Sequence, residues 1–193
     1  MTEVEKNRIE ELDPLWLLNQ YRVAELRGAG AIMRMGRLAD DLTLTTDLSR
    51  HLRDESVHAW LWTKVIRDMG GQLVEMDEPY QTRLALNFGI PRSLTDLLAL
   101  TWVSERRGVK QYKEHLDVAE ASPLIKRTLR GILKDEQWHV EYISKELQRR
   151  VHADARVQQT IDKALEADLT SVDALRAMPE LDKVAAHDAG QPL

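Results

Sequence analysis

The strongest constraint in this sequence is that it repeats itself. The run Leu52-Arg53-Asp54-Glu55-Ser56-Val57-His58 is matched by Leu133-Lys134-Asp135-Glu136-Gln137-Trp138-His139, and Glu25-Leu26-Arg27-Gly28 is matched by Glu105-Arg106-Arg107-Gly108. Glu136 lies 81 residues after Glu55, and Glu105 lies 80 after Glu25, so two separate matches share nearly one offset. Self-similarity of this kind marks a fold built from copies of one unit. Two copies related by a pseudo-two-fold axis are expected.

Each copy reads as a helical hairpin. Glycine and proline number only nine and six among 193 residues, and long stretches contain neither. Asp13-Pro14, an acidic cap followed by proline, starts a first helix over about 14–39. Asp40-Asp41 and Thr43 offer caps for a second, which runs to about Met69 and stops at Gly70-Gly71. Residues 70–92 are broken by Pro79, Gly89 and Pro91, with room for a short helix over Gln81 to Asn87. Ser93 or Thr95 caps a third long helix to about Ala119, and Ser122-Pro123 starts a fourth to about His152. A more polar helix over about 155–177 and a loosely held tail after Pro179 complete the chain. The expected fold is all-α, with 1–193 forming a single domain. Its core is an antiparallel four-helix bundle over about 14–152 with one long crossover, and the C-terminal helix and tail cover about 153–193.

The repeat also sets the depth of its acidic residues. In each Asp-Glu-x-x-His run the Glu and His are three apart, hence neighbours on one helix face. Two residues at equal height in an antiparallel hairpin are symmetric about its turn. The midpoint of positions 25 and 55 is 40, at the predicted turn, and that of 105 and 136 falls at about 120.5, just before Ser122-Pro123. Each lone Glu therefore stands level with its Glu-x-x-His. Four carboxylates and two imidazoles converge between four helices. Without cations, desolvation and mutual repulsion would oppose their ionisation; two divalent ions would neutralise them.

One Glu from each of two helices plus Glu-x-x-His from each of the other two resembles the ferritin-like di-iron and di-manganese carboxylate superfamily, over about residues 15–150. The resemblance implies that Glu25, Glu55 and His58 hold one metal and Glu105, Glu136 and His139 the other, with Glu55 and Glu136 as the bridging candidates. Metal-binding histidines usually donate their second ring N–H to a carboxylate. Asp54 and Asp135 are the candidates, each bracing the histidine of the opposite hairpin. Tyr21, one turn before Glu25, is expected to point toward the site. His51, one turn before Glu55, is read as a neighbour of the site or a surface histidine rather than a ligand. Gly28 and Gly108 follow the lone glutamates by three, and they indicate either room for oxygen or substrate or close helix packing. Trp60, Trp62, Trp102 and Trp138 are read as core or interface packing rather than a radical relay. Arg106, Arg107, Lys110 and Lys113 are read as a solvated basic face, and His115, His152 and His187 fit no pattern.

Composition narrows the chemistry. The chain has no cysteine, which excludes thiolate zinc sites, iron–sulfur ligation and a built-in rubredoxin-type donor. A net charge of −5 gives no general attraction to nucleic acid or anionic membrane. The N-terminus lacks an apolar signal core, and no apolar run approaches the ~18 residues of a membrane span. A cytoplasmic protein is expected. Iron is preferred to manganese for two imidazoles plus carboxylates, so two iron ions are expected, with manganese as the alternative.

Three functions stay open. One is an oxidase or monooxygenase acting with dioxygen or peroxide and, as an oxygenase, a separate electron donor. Another is ferroxidase or iron storage in a ferritin-like shell. The third is peroxide scavenging like rubrerythrin or manganese catalase. Ser56 stands where bacterioferritins carry a haem-binding methionine, so no haem is expected. Gly108 stands where rubrerythrins carry a further glutamate. The fifth helix suits either a homodimer or a larger homo-oligomer.

Overall fold

The computed structural model describes residues 13–76, 80–118 and 121–176, and among them are six α-helices and no strand. They are α1 (Pro14–Gly36), α2 (Leu42–Asp68), α3 (Tyr80–Phe88), α4 (Leu94–Leu116), α5 (Pro123–Ala153) and α6 (Val157–Arg176). The expected tail after Pro179, with His187, lies outside the described residues, as does Pro79 of the crossover.

The helix starts follow from their caps. Asp13 accepts the Leu15 amide at 3.0 Å with Pro14 at the first helical position, and Asp41 accepts the Leu44 amide at 2.8 Å. Ser122 accepts the Ile125 amide at 3.2 Å ahead of Pro123. Ser93 and Asp96 satisfy each other's backbone amides, both at 3.1 Å, in a capping box. At the end of α2 the chain turns through Gly70 at φ +75°, a left-handed conformation that glycine adopts without a Cβ clash. The first helix is shorter than expected. It ends at Gly36, leaving 37–41 to make the turn.

α1 packs along α2 and α4 along α5, and the two pairs meet through α2 against α5 and α1 against α4. Leu15 at the start of α1 lies against Gly71 just past α2, so these helices run antiparallel. At the opposite end Arg150 of α5 clamps Asp40 at 2.8 and 2.9 Å, tying the tail of α5 to the α1–α2 turn. α3 sits in the crossover and packs on α6, which also lies on α4. The basic stretch of α4 therefore differs from expectation at Arg107. Its guanidinium grips Asp168 of α6 with two bonds of 2.5 and 2.6 Å, and the Tyr80 hydroxyl donates to the same carboxylate. Among the described residues no helix is long and apolar enough to cross a membrane.

Burial divides the interior into two apolar clusters. One contains Ile32 and Met35 of α1, Leu44 and Leu48 of α2, Leu98 of α4 and Ile143 of α5. The other contains Leu17 and Leu18 of α1, Trp62 and Ile66 of α2, Tyr112 of α4 and Leu129 of α5. On every long helix the numbers skip a segment between the clusters, and those segments carry the repeated motifs. A polar layer is thus held between two dry ones. Leu98→Ala and Leu129→Ala, each at a fully buried position and one in each cluster, should each lower unfolding free energy by about 2–5 kcal/mol in urea titration. A loss below about 1 kcal/mol at either site would mean that its layer is not tightly packed.

Candidate metal centre

The polar layer is built from helix periodicity. His51, Glu55 and His58 stand at i, i+4 and i+7 on α2 and share one face, as do Glu136 and His139 on α5. Glu25 of α1 and Glu105 of α4 face them, and all seven side chains are buried. They form two groups that could hold a metal ion: Glu25, Glu55, His58 and Glu136, and His51, Glu55, Glu105 and His139. Within each group one atom per residue lies within 4.8 Å of all the others.

His58 turns Nδ1 inward, 3.0 Å from Glu136 Oε1 and 3.5 Å from Glu25 Oε2. His139 also turns Nδ1 inward, 3.3 Å from Glu136 Oε2, 3.7 Å from Glu55 Oε1 and 3.8 Å from Glu105 Oε2. His51 presents Nε2, 3.3 Å from Glu55 Oε1 and 3.4 Å from Glu105 Oε1. Glu55 belongs to both groups, and Glu136 faces one histidine with each of its oxygens. Glu136 therefore stands between the two histidines, with one oxygen toward His58 and the other toward His139, the histidine with which the sequence assigned it.

The outward ring nitrogens of His58 and His139 both face carboxylates, but only that of His58 is within hydrogen-bond distance. His58 Nε2 lies 3.3 Å from Asp135, and His139 Nε2 lies 3.6 Å from Asp54, each across to the opposite hairpin. Arg53 in turn fixes Asp54 with bonds of 2.9 and 2.5 Å. Tyr21 differs from expectation. Its hydroxyl pairs with His115 Nδ1 at 3.2 Å, and it touches the layer only through the rings of Trp62 and Tyr112. The phenol that reaches the site is Tyr112, which donates to Glu25 Oε1, the same oxygen that accepts the Trp62 indole N–H at 3.3 Å. Sequence reading missed Tyr112, Tyr142 and the placement of His51. The available signal was spacing: Tyr112 is seven after Glu105, and Tyr142 is three after His139. Trp62 lies in the core, Trp102 and Trp138 are partly buried, and Trp60 is exposed.

Electrostatics describe a layer short of positive charge. Burial, reinforced by Glu105, Glu25 and Glu136, pushes the Glu55 carboxyl well above its ordinary range. Burial, with Glu105 and Glu25, raises Glu136 to about 7. Burial opposes charge on the histidines, yet Glu136 and Glu25 hold His58 up at about 11, and Glu105 and Glu136 hold His139 up at about 10. Glu105 goes the other way; burial works against its charge, but His139 and His51 keep it well below the ordinary range. His51 is pushed down by burial.

The residues fit a metal on two counts. Buried His51 Nε2, Glu55 Oε1 and His58 Nδ1 make no hydrogen bond of good geometry, although carboxylates or imidazoles stand within 3.0–3.7 Å of them. Each such orphan costs roughly 1–3 kcal/mol, which a bound cation would remove. Donor atoms about 2 Å from one ion stand roughly 3–4 Å apart, the spacing seen here.

The two matching glycines have different roles. A Cβ on Gly28 would strike Glu55 Oε2, so this glycine makes room for the carboxylate itself. A Cβ on Gly108 would meet nothing within 4 Å. Both line a cleft of about 50 Å³ between α1 and α4, which Gln81 of α3 borders and which reaches Glu25, Glu55, Glu105 and Glu136. Gly28→Ala should weaken metal binding by displacing Glu55. Gly108→Ala should leave it unchanged and stabilise the helix by about 0.5–1 kcal/mol; equal effects of the two on metal titration would refute this division.

Because His58 and His139 hold protons to about 11 and 10 and Glu136 to about 7, filling the layer with divalent ions at pH 7 should release about two or more protons per chain. Calorimetry in buffers of differing ionisation enthalpy measures this directly, and binding without proton release would contradict the protonation described. Comparison with known proteins found no family model, no curated protein and no solved structure that matches this chain, so the reading of the site rests on the geometry of its own side chains.

Proposed function

We propose that this chain is a ferritin-like four-helix bundle holding a carboxylate-bridged dinuclear centre, with iron as the favoured metal. In this reading it acts as an oxidase or monooxygenase on dioxygen or peroxide. The single observation that carries it is the pair of buried four-residue groups sharing Glu55. Two adjacent sets joined by a carboxylate suit two ions, and imidazole with carboxylate suits iron. Iron held there in its reduced state would supply the electrons for reaction with dioxygen or peroxide.

The chain's own residues would do the rest. Glu25 has Oε1 engaged by Tyr112 and Trp62, which leaves Oε2, facing His58, as its ligand atom. Asp135, hydrogen-bonded to His58 Nε2, would orient that ring and favour the tautomer with Nδ1 unprotonated, and Asp54, 3.6 Å from His139 Nε2, stands where a small approach would do the same for His139. The dry layers above and below keep bulk water from the carboxylates and strengthen the field within. With no cysteine for an internal redox centre, an oxygenase role requires a separate electron donor.

A second reading, oxidation of ferrous iron as substrate, is favoured by the cleft. A cleft of about 50 Å³ edged by four carboxylates has room for a small cation or dioxygen rather than a bulky organic molecule. Size-exclusion chromatography tests whether that oxidation serves iron storage, which needs a hollow shell of many copies, whereas oxidation alone needs only a homodimer. After anaerobic iron loading, wild-type protein should hold two ions per chain and change its optical spectrum when oxygen or peroxide is added. Glu136→Ala should lose at least one ion and that change. Full retention of two ions by the variant would refute the ligand assignment, and a metal-free wild-type protein would refute both readings.

A further inference from the structure

The repeat breaks at one buried position inside the polar layer. The residue 81 positions after His51 is Ile132, an apolar residue in the cluster beside the site, so the second hairpin has no counterpart of this imidazole. His51 is fully buried, and its Nε2 lies 3.3 and 3.4 Å from Glu55 and Glu105 without a hydrogen bond to either. Its ring stacks on His139 at 3.6 Å between centroids. Its Nδ1 lies 2.8 Å from the Tyr142 hydroxyl. The His51 ring thus has the same arrangement as His58, one nitrogen turned into the carboxylates and the other hydrogen-bonded to an outward partner, and His139 likewise turns Nδ1 inward with Asp54 3.6 Å from its outer nitrogen. The outward partner of His51 is a neutral phenol where the other two have carboxylates.

We propose that His51 is a seventh metal ligand, binding through Nε2, and that the two metal positions are therefore chemically unlike. One is bounded by two imidazoles and two carboxylates, namely His51, His139, Glu55 and Glu105. The other is bounded by one imidazole and three carboxylates, namely His58, Glu25, Glu55 and Glu136. For His51 to present a lone pair at Nε2, its proton sits on Nδ1 and is donated to the Tyr142 oxygen. Imidazole-rich sets hold cobalt and zinc more strongly relative to manganese than carboxylate-rich sets do. The His51 position fills first with such ions, and a manganese ion prefers the other. This inference rests on the dinuclear centre proposed above and adds an inequality that the six-ligand reading lacks.

Cobalt(II) is the probe, added to the full-length metal-free protein. Wild type should bind two ions in two resolved steps, read from visible absorption. His51→Ala should weaken the tighter step by about tenfold or more and leave the other in place, and Tyr142→Phe should weaken that same step by up to about tenfold. A measurement on wild type alone guards against misfolded variants. Proton NMR of the cobalt-loaded protein in water should show three exchangeable imidazole N–H signals shifted by the metal. They are the Nε2–H of His58 and of His139 and the Nδ1–H of His51. Two such signals, or His51→Ala titrating like wild type, would overturn the role of His51 while leaving the centre intact. Failure of wild type to bind cobalt at all would overturn the centre, and this inference with it.

Discussion

Four carboxylates brought within a few ångströms of each other, away from water, are the fact around which this structure is arranged. Glu25, Glu55, Glu105 and Glu136 are all buried between the same four helices. Mutual repulsion and desolvation both resist their charge, and the two protonated imidazoles, His58 and His139, offset it only in part. Desolvation and repulsion raise Glu55 and Glu136, while His58 and His139 are driven to keep protons they would otherwise lose near neutrality. Such a layer is stable only if something supplies positive charge, whether protons or metal ions. That links the fold to the proposed chemistry, since the same side chains that would destabilise an empty interior are the donors a pair of cations requires.

The rest of the interior holds this layer in place. Apolar clusters above and below exclude water and keep the helices in register. Outer contacts then aim the donors: Asp54 and Asp135 reach across to the histidines of the opposite hairpin, and Tyr112 with Trp62 holds one oxygen of Glu25. Gly28 gives up a side chain so that Glu55 fits. The crossover helix and the C-terminal helix brace the α4 side through Asp168, which both Tyr80 and Arg107 contact.

Much of the site was legible in the sequence because its rules are one-dimensional. Glu-x-x-His spacing fixes two donors on one helix face, and the symmetry of positions 25 and 55, and of 105 and 136, about their turns fixes depth. Neither inference needs tertiary coordinates. Tyr21 and Tyr112 show where this stops. Both lie on the right face of their helices by spacing, but which phenol reaches Glu25 depends on the lateral offset of α1 and α4 and on Trp62 between them. His51 shows the same limit. Its spacing from Glu55 allowed either a surface or a buried place, and the packing of α2 against α5 put it inside, stacked on His139.

By itself the sequence determined the helices, their caps, the two hairpins and the meeting of six donors, because local propensity, capping and hairpin symmetry act along the chain. The tertiary structure decided how those donors divide. It set Glu136 between His58 and His139, placed His51 beside Glu55, Glu105 and His139, drew Arg107 onto Asp168 and left a narrow cleft at Gly108. Those outcomes depend on how far each helix is rotated and displaced against its neighbours, and that is set by the summed packing of two cores rather than by any spacing within one helix.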